Sequence, residues 1–196
     1  MKSNRVLFGL FAAVLALSSG AVMAQRISSS KLVEIGPDNI GGRITSLIVD
    51  QRDPSHNTVF AGSAHGGLYV RSNSSDYAEF PDVWNYIPTA DDPTSNEYLP
   101  ISCMVQGSDN TIYIGTGEGS FQRGSRFSAM ASRGRGLYLF NPDTKKFKCI
   151  EKTIPANMDD TWSSINKLAV VQDGGTTYVF AATHKGLYRF DITKEE

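Results

Sequence analysis

The sequence predicts an all-β protein built from repeats, and three observations support this fold class. Residues 58–70 read TVFAGSAHGGLYV, a β-forming stretch, a glycine-rich turn and a second β-forming stretch. The pattern of strand, turn and Gly-Leu-Tyr recurs in residues 111–117 with 136–140, and again in residues 177–190. The 18 Gly, 8 Pro and 8 Tyr favour strands joined by turns, and no helical period persists beyond the first 24 residues.

Each repeat is expected to hold about four short antiparallel strands. The predicted repeats span approximately residues 40–90, 97–153 and 161–196, and the third lacks a fourth strand. A mostly apolar run at residues 44–49 predicts a strand that is buried on both faces. Four-stranded repeats with periodic glycine and aromatic residues are typical of β-propeller blades. The sequence therefore predicts about three blades of a partial β-propeller in residues 32–196, with a first strand at residues 32–35.

Residues 1–24 have the features of a signal peptide. A positively charged start precedes an apolar run at residues 6–17, which is too short to span a bilayer, and residues 22–24 (VMA) fit a cleavage site. A membrane anchor is the alternative interpretation. Residues 25–31 then form a polar leader. We expect a bacterial protein that is exported (secreted, periplasmic or on the cell surface), without a membrane span after signal removal.

Charge and cysteine content limit the classes of partner and of crosslink. A formal net charge of −1 gives no electrostatic basis for binding nucleic acid or an anionic membrane. Cys103 and Cys149 fall in the first and last predicted strands of the second repeat. Three strand spacings of about 4.8 Å exceed the roughly 7 Å between Cα atoms that a disulfide allows. Both cysteines are therefore predicted to be free, small, buried apolar residues.

A family resemblance rests on three phrases of the sequence. They are GPDNIGGRITSLIVD at residues 36–50, NTVFAGSAHGGLYVRS at 57–72, and TIYIGTGEGS at 111–120 followed by GRGLYLF at 134–140. Over residues 32–191 the chain resembles the BNR/Asp-box propellers of the sortilin-like and sialidase-like superfamily of exported bacterial proteins. The resemblance implies the N-terminal portion of a larger propeller, whose missing blades lie in the same longer chain. Ring closure by oligomerisation is the alternative.

The Asp-box itself is degenerate in this sequence. The family carries S/T-x-D-x-G-x-T-W after each Gly-Leu-Tyr strand, and none of the three repeats retains its glycine and tryptophan. The turn in which the Asp-box would lie is still present after each Gly-Leu-Tyr strand. Asp143 and Asp191 are expected to cap their turns by accepting hydrogen bonds from backbone N–H groups.

The insertion at residues 120–135 is the predicted binding surface. Arginine stacks on rings and pairs with carboxylates, so a loop rich in arginine and aromatic residues suits a glycan, a peptide or an acidic partner. Long loops on rigid scaffolds often carry function, although a soluble loop without a ligand is the alternative. The ligand-binding candidates are Arg123, Arg126, Arg133, Arg135, Phe121 and Phe127.

Three further residues are weaker candidates. Glu118, in the GTGEGS turn, is the candidate catalytic or metal-binding carboxylate, and a solvated loop acid is the alternative. His65 and His184 hold similar turn positions in two repeats and are candidate metal ligands, but turn residues with unusual backbone angles explain them as well. The sequence contains no P-loop, dinucleotide fingerprint or CxxC pair, so no cofactor is expected.

The sequence favours a binding or scaffold module for protein or glycan over an enzyme. The alternative is the N-terminal part of a sialidase-like or xyloglucanase-like glycoside hydrolase whose other catalytic residues lie outside this chain. Glycosidases of these kinds need placed carboxylates or a tyrosine nucleophile with its base. By alignment with the xyloglucan-cleaving relatives, Ala64 stands where they carry a catalytic Asp, which disfavours that activity.

Overall fold

The computed structural model describes residues 43–73, 83–89, 98–118 and 132–196, and all of them belong to one compact unit, Gly36–Glu196. The predicted signal peptide, the polar leader and the strand predicted at residues 32–35 lie outside the described residues. The described part is all-β, as predicted. It contains no helix with the length and hydrophobicity needed to cross a bilayer.

The strands form three antiparallel sheets, and each sheet follows chain order. Sheet 1 contains β1 (Ile44–Val49), β2 (Val59–Ser63), β3 (Gly67–Arg71) and β4 (Trp84–Ile87). Sheet 2 contains β5 (Ile101–Gln106), β6 (Ile112–Thr116), β7 (Leu137–Asn141) and β8 (Lys146–Cys149). Sheet 3 contains β9 (Ile165–Asp173), β10 (Thr176–Thr183) and β11 (Gly186–Asp191), and two 3₁₀ turns, Glu151–Thr153 and Thr161–Ser163, precede it. Each predicted repeat thus forms its own sheet.

The three sheets stack face to face, with sheet 2 in the middle. Side chains alternate across a strand, so neighbouring residues of β6 enter different cores. Ile112 and Ile114 pack with Phe60 and Leu68 of sheet 1, whereas Tyr113 packs with Val179 and other residues of sheet 3. The first strands β1, β5 and β9 lie beside one another. Sheet 2 is therefore buried on both faces.

Two glycines allow this close stacking. A Cβ atom on Gly62 would lie 2.5 Å from the side chain of Ile101 on sheet 2. A Cβ atom on Gly115 would lie 2.8 Å from the side chain of Ile165 on sheet 3. Such distances are far below van der Waals contact, so the second strands of sheets 1 and 2 need a residue without a side chain at this position.

The prediction that β1 is buried on both faces is wrong. Ile48 packs in the core shared with sheet 2, but Leu47 is 64% exposed and Val49 is 47% exposed. These two side chains alternate with Ile48 and so point to the outward face of sheet 1, opposite sheet 2. An apolar run indicates a strand, but burial depends on a neighbouring layer that the run does not reveal.

Both cysteines are free and occupy the predicted strands. Cys103 is buried between sheets 2 and 3, and burial raises the pKa of its thiol to about 11. Cys149 is half-buried, so the prediction of full burial is wrong for this residue. It lies on β8, the edge strand of sheet 2, where fewer neighbours cover it.

The turn-capping prediction is confirmed for Asp191 and wrong for Asp143. Asp191 Oδ1 accepts hydrogen bonds from the backbone N–H groups of Thr193 (2.9 Å) and Lys194 (3.1 Å). In sheet 2 the residue that caps the corresponding turn is Asn141, whose Oδ1 accepts the N–H of Asp143 at 2.9 Å. The capping side chain must precede the turn by two residues to reach the freed N–H groups, and Asp143 lies inside the turn.

Candidate functional site

The stack has two ends with different loops. We call the end with the β1–β2, β5–β6 and β7–β8 turns the hairpin end. We call the opposite end, where residues 117–136 connect β6 to β7, the insertion end. Those predicted site residues that the structure describes fall at the insertion end. Four others, Phe121, Arg123, Arg126 and Phe127, lie outside the described residues.

Buried hydrogen bonds position the second half of the insertion. Thr116 is fully buried, and its Oγ1 accepts the N–H of Arg135 at 2.7 Å while donating to the carbonyl of Gly136 at 2.5 Å. The N–H of Gly134 donates to the carbonyl of Ser163 at 2.8 Å. All three bonds involve only the backbone of residues 134–136, and none involves the side chain of Arg133 or Arg135. The segment that carries Arg133 and Arg135 is therefore fixed at the base of the insertion.

Arg133 and Arg135 line a cleft of about 380 Å³ at this end. Gly134, Tyr138, Ile154 and Pro155 also line this cleft. Arg133 Nη2 donates to the carbonyl of Pro155 at 3.0 Å, which orients that guanidinium. We call this feature the arginine cleft. The cleft places two cations beside an apolar wall. Ile154, which is 53% exposed, presents part of that wall to a ligand.

Arg135 differs from the other described arginines at the two ends. Its side chain is half-buried, yet its guanidinium has no hydrogen-bond or ion-pair partner among the described residues. Removing a charged group from water without a partner is unfavourable. A ligand carboxylate would supply the two parallel acceptors that a guanidinium suits best.

Glu118 forms an ion pair with Arg43, and the two residues come from different sheets. Glu118 is 11% exposed, whereas Arg43 is 61% exposed. The carbonyl of Arg43 accepts the N–H of Ala64 at 3.0 Å, which ties the start of β1 to the β2–β3 turn. The contact gives Glu118 a structural role in joining sheet 1 to sheet 2. A solvated acid was the alternative for Glu118, and its low exposure does not fit that description.

The two histidines lie in the turns where the sequence placed them. His65 is exposed between β2 and β3, and His184 lies between β10 and β11, where its N–H donates to the carbonyl of Ser164 at 3.3 Å. Both ring nitrogens of His184 are buried and have no hydrogen-bond partner among the described residues. In the part of the chain that the structure describes, no group of three or more His, Cys, Asp or Glu side chains is arranged to hold a metal ion.

The hairpin end contains a larger cleft that sequence reasoning missed. It has a volume of about 650 Å³ and lies between the β1–β2 loop and the β7–β8 turn. Its polar walls include Asp50, Arg52, Asp53, Asp143 and Lys145. The charged loop DQRDP at residues 50–54 was the available signal, but a hairpin loop in isolation does not indicate which turn of another sheet it meets.

The charges of the hairpin end pair with one another. Arg52 Nη2 donates to Asp50 Oδ2 at 2.6 Å, and its Nη1 pairs with Asp143 of sheet 2. Gln106 Nε2 donates to Asp50 Oδ1 at 3.0 Å, and Gln106 Oε1 accepts the N–H of Gln51 at 2.9 Å. We call Asp50, Arg52, Gln106 and Asp143 the hairpin-end network. It joins sheet 1 to sheet 2.

The hairpin-end network lowers the pKa of its buried carboxyl group, that of Asp50. Burial alone would raise the pKa of Asp50, but hydrogen bonds from Arg52 and Gln106 outweigh it and lower the pKa. In the same loop, hydrogen bonds from Ser55 and Thr58 hold the pKa of Asp53 well below its usual range. Asp53 caps the loop, since its Oδ2 accepts the N–H of Thr58 at 2.8 Å. These carboxylates serve the loop's own structure.

A scan against protein-family models and a search of curated proteins find no match to this chain. The geometry of the two ends is therefore the basis on which a function can be assigned. One end has a cleft in which Arg52 forms ion pairs with Asp50 and Asp143. The other has a cleft with an arginine that lacks a partner among the described residues.

Proposed function

We propose that this chain is an exported binding module in which the three sheets are blades of a BNR/Asp-box-like β-propeller. Face-to-face stacking of antiparallel sheets, with their first strands adjacent, supports the blade assignment. A closed ring requires further blades, which a longer chain or another copy would contribute. Export rests on the signal-like pattern of residues 1–24.

The ligand site of this module is the arginine cleft, and the ligand is a protein or glycan that carries a carboxylate. The observation that supports this choice is the half-buried residue Arg135, whose guanidinium has no partner among the described residues. Arg133 supplies a second cation, held by the carbonyl of Pro155. Ile154 and Pro155 add aliphatic surface beside these charges. A carboxylate on a sugar ring or an apolar side chain matches both parts of the cleft.

Calorimetry with two defined probes tests this assignment. The probes are a galacturonic acid oligosaccharide and an acidic glutamate peptide, each compared with a neutral oligosaccharide or peptide of equal length. We expect one acidic probe to bind and the double variant Arg133→Ala/Arg135→Ala to weaken it at least tenfold. A hydrogen bond to a charged group contributes about 1.5–3 kcal/mol, and about 1.4 kcal/mol is a factor of ten.

The matched control is the double variant Lys148→Ala/Lys194→Ala. It removes two positive charges from residues that do not line the arginine cleft. Both lysine side chains are largely exposed, at 65% and 64%. This control should bind like the wild type. Equal weakening in both double variants would show that overall charge, and not the cleft, governs binding. Binding of neither acidic probe would contradict the proposal.

A further inference from the structure

The charged side chains that line the arginine cleft donate hydrogen bonds and accept none. Arg133 and Arg135 supply the guanidinium groups, and the carbonyl of Pro155 already accepts a bond from Arg133 at 3.0 Å. The described residues that line the cleft include no Asp, Glu, Asn or Gln, whose side-chain oxygens accept hydrogen bonds. Sugar hydroxyl groups donate as well as accept, so a glycan would find few acceptors here. Carboxylates and peptide carbonyls only accept, and they match this lining.

The apolar surface of the cleft is aliphatic. Among the described residues that line it, Tyr138 carries the only aromatic ring, and Tyr138 is 3% exposed. Ile154 is 53% exposed. A sugar ring packs best on the flat face of an aromatic side chain, and Tyr138 is too deeply buried to offer that face. An aliphatic side chain of a peptide, by contrast, packs well against Ile154.

Buried hydrogen bonds hold this aliphatic wall in place. Thr153 is fully buried beside it, and its Oγ1 accepts the N–H of Leu137 at 2.8 Å while donating to the carbonyl of Ile150 at 2.7 Å. The N–H of Ile154 donates to the carbonyl of Glu151 at 3.0 Å. The wall therefore needs little ordering when a ligand binds, which favours affinity.

The cationic and aliphatic parts of the cleft are close neighbours. The guanidinium of Arg133 binds the carbonyl of Pro155, and Pro155 directly follows Ile154 in the chain. The Cα atoms of consecutive residues are about 3.8 Å apart. A short ligand segment can therefore reach a guanidinium and the Ile154 side chain at the same time.

We infer that the partner of the arginine cleft is a protein, which binds through a segment that places an acidic side chain beside an aliphatic one. The acidic side chain pairs with the guanidinium of Arg135, and the aliphatic side chain packs on Ile154. This inference rests on the proposed function, because it names the partner of the same cleft. It adds that the partner is a protein segment and not a glycan.

Calorimetry on the full chain with two matched peptides and one glycan tests the inference. The first peptide contains Leu and Glu, and in the second peptide Ser replaces every Leu. Both peptides have capped ends, so that glutamate side chains supply all the carboxylates. The glycan is the galacturonic acid oligosaccharide. The leucine peptide should bind at least about tenfold more tightly than the serine peptide and the oligosaccharide, because burial of an aliphatic side chain adds to the charge pairing.

Ile154→Ser separates the aliphatic contact from the charges. This variant should bind the leucine peptide about tenfold more weakly than the wild type and should bind the serine peptide equally well. Ile154→Leu should keep the wild-type preference. Leu47→Ser is the matched control, because Leu47 is 64% exposed and does not line the cleft, and it should change neither affinity. Circular dichroism checks that all three variants are folded.

The pattern of outcomes separates this inference from the proposed function. Equal binding of the two peptides, or tighter binding of the oligosaccharide, would overturn the protein partner and leave the cleft as a site for acidic ligands. Equal loss of affinity in Ile154→Ser and Leu47→Ser would also overturn it, since the aliphatic contact would then not be specific to the cleft. If none of the three probes binds, both the inference and the proposed function are wrong.

Discussion

The two ends of the stack differ in how their partly buried charged side chains are paired. At the hairpin end, Arg52 bridges Asp50 and Asp143, and Gln106 completes the hydrogen bonds of the buried carboxylate. At the insertion end, Arg135 has no such partner among the described residues. The hairpin-end cleft is the larger of the two, at about 650 Å³ against about 380 Å³.

The difference shows that cleft size alone is a poor guide to a binding site. Internally paired charges would have to be separated before they could bind a ligand, so they chiefly stabilise the stack. Arg135 has no ion pair among the described residues that would have to break when it binds a carboxylate. The comparison predicts that substitutions at the hairpin end will reduce stability, whereas substitution of Arg135 will reduce binding.

The largest effect on the free energy of unfolding is expected for Asp50→Ala. Asp50 is 1% exposed, and its loss leaves Arg52 and Gln106 with unmatched donors between sheets 1 and 2. Breaking a buried pair by removing one partner costs about 3–5 kcal/mol. Urea denaturation at neutral pH should show this decrease in the free energy of unfolding. A decrease below about 1 kcal/mol would mean that the network contributes little.

The same variant should change the acid sensitivity of the protein. A carboxyl whose pKa is lowered in the folded state stabilises the fold above its unfolded pKa, near 3.8 for Asp50. That contribution is lost as the pH falls through the lower, folded pKa. The stability difference between wild type and Asp50→Ala should therefore shrink below about pH 4. A difference that is constant from pH 7 to pH 2 would contradict this account.

An intermediate effect is expected for Thr116→Val, which preserves shape and removes the hydroxyl. Thr116 is fully buried, and the change leaves the N–H of Arg135 and the carbonyl of Gly136 without their partner. An unsatisfied buried group costs about 1–3 kcal/mol. Thermal denaturation should report this loss. Because the same bond positions Arg135, affinity for the acidic probe should fall as well, and unchanged affinity would show that the hydroxyl does not position the arginine.

The smallest effect on stability is expected for Arg135→Met, which keeps much of the aliphatic side chain. Since the guanidinium has no partner among the described residues, its removal should change the free energy of unfolding by less than about 0.5 kcal/mol. Binding of the acidic probe should nevertheless weaken. A clear loss of stability would reveal a structural role for Arg135 and would remove the contrast between the two ends.

Much of the fold could be predicted from the sequence because its signals are local. The β-forming residues of TIYIG predict a strand, and the recurrence of Gly-Leu-Tyr predicts three units of similar design. The spacing of Cys103 and Cys149 within one repeat also predicted that they stay unpaired. Asn141 was not predicted to cap its turn, although the sequence places it directly before that turn.

The pairings between sheets could not be predicted in the same way. Arg52 and Asp143 are 91 residues apart, and Arg43 and Glu118 also come from different repeats. Each pair forms because two loops meet at one end of the stack. The sequence therefore offered Glu118 as a candidate site residue without showing that Arg43 pairs with it.

By itself the sequence determined the strands, their grouping into three sheets and the place of the insertion, because these follow from side-chain alternation and turn residues along the chain. Only the tertiary structure decided which apolar faces are covered and which charges have partners. Leu47 and Met104 hold the same position in their repeats, yet one is exposed and the other packs in a core. Burial and pairing depend on the neighbouring layer, and that layer comes from a distant part of the chain.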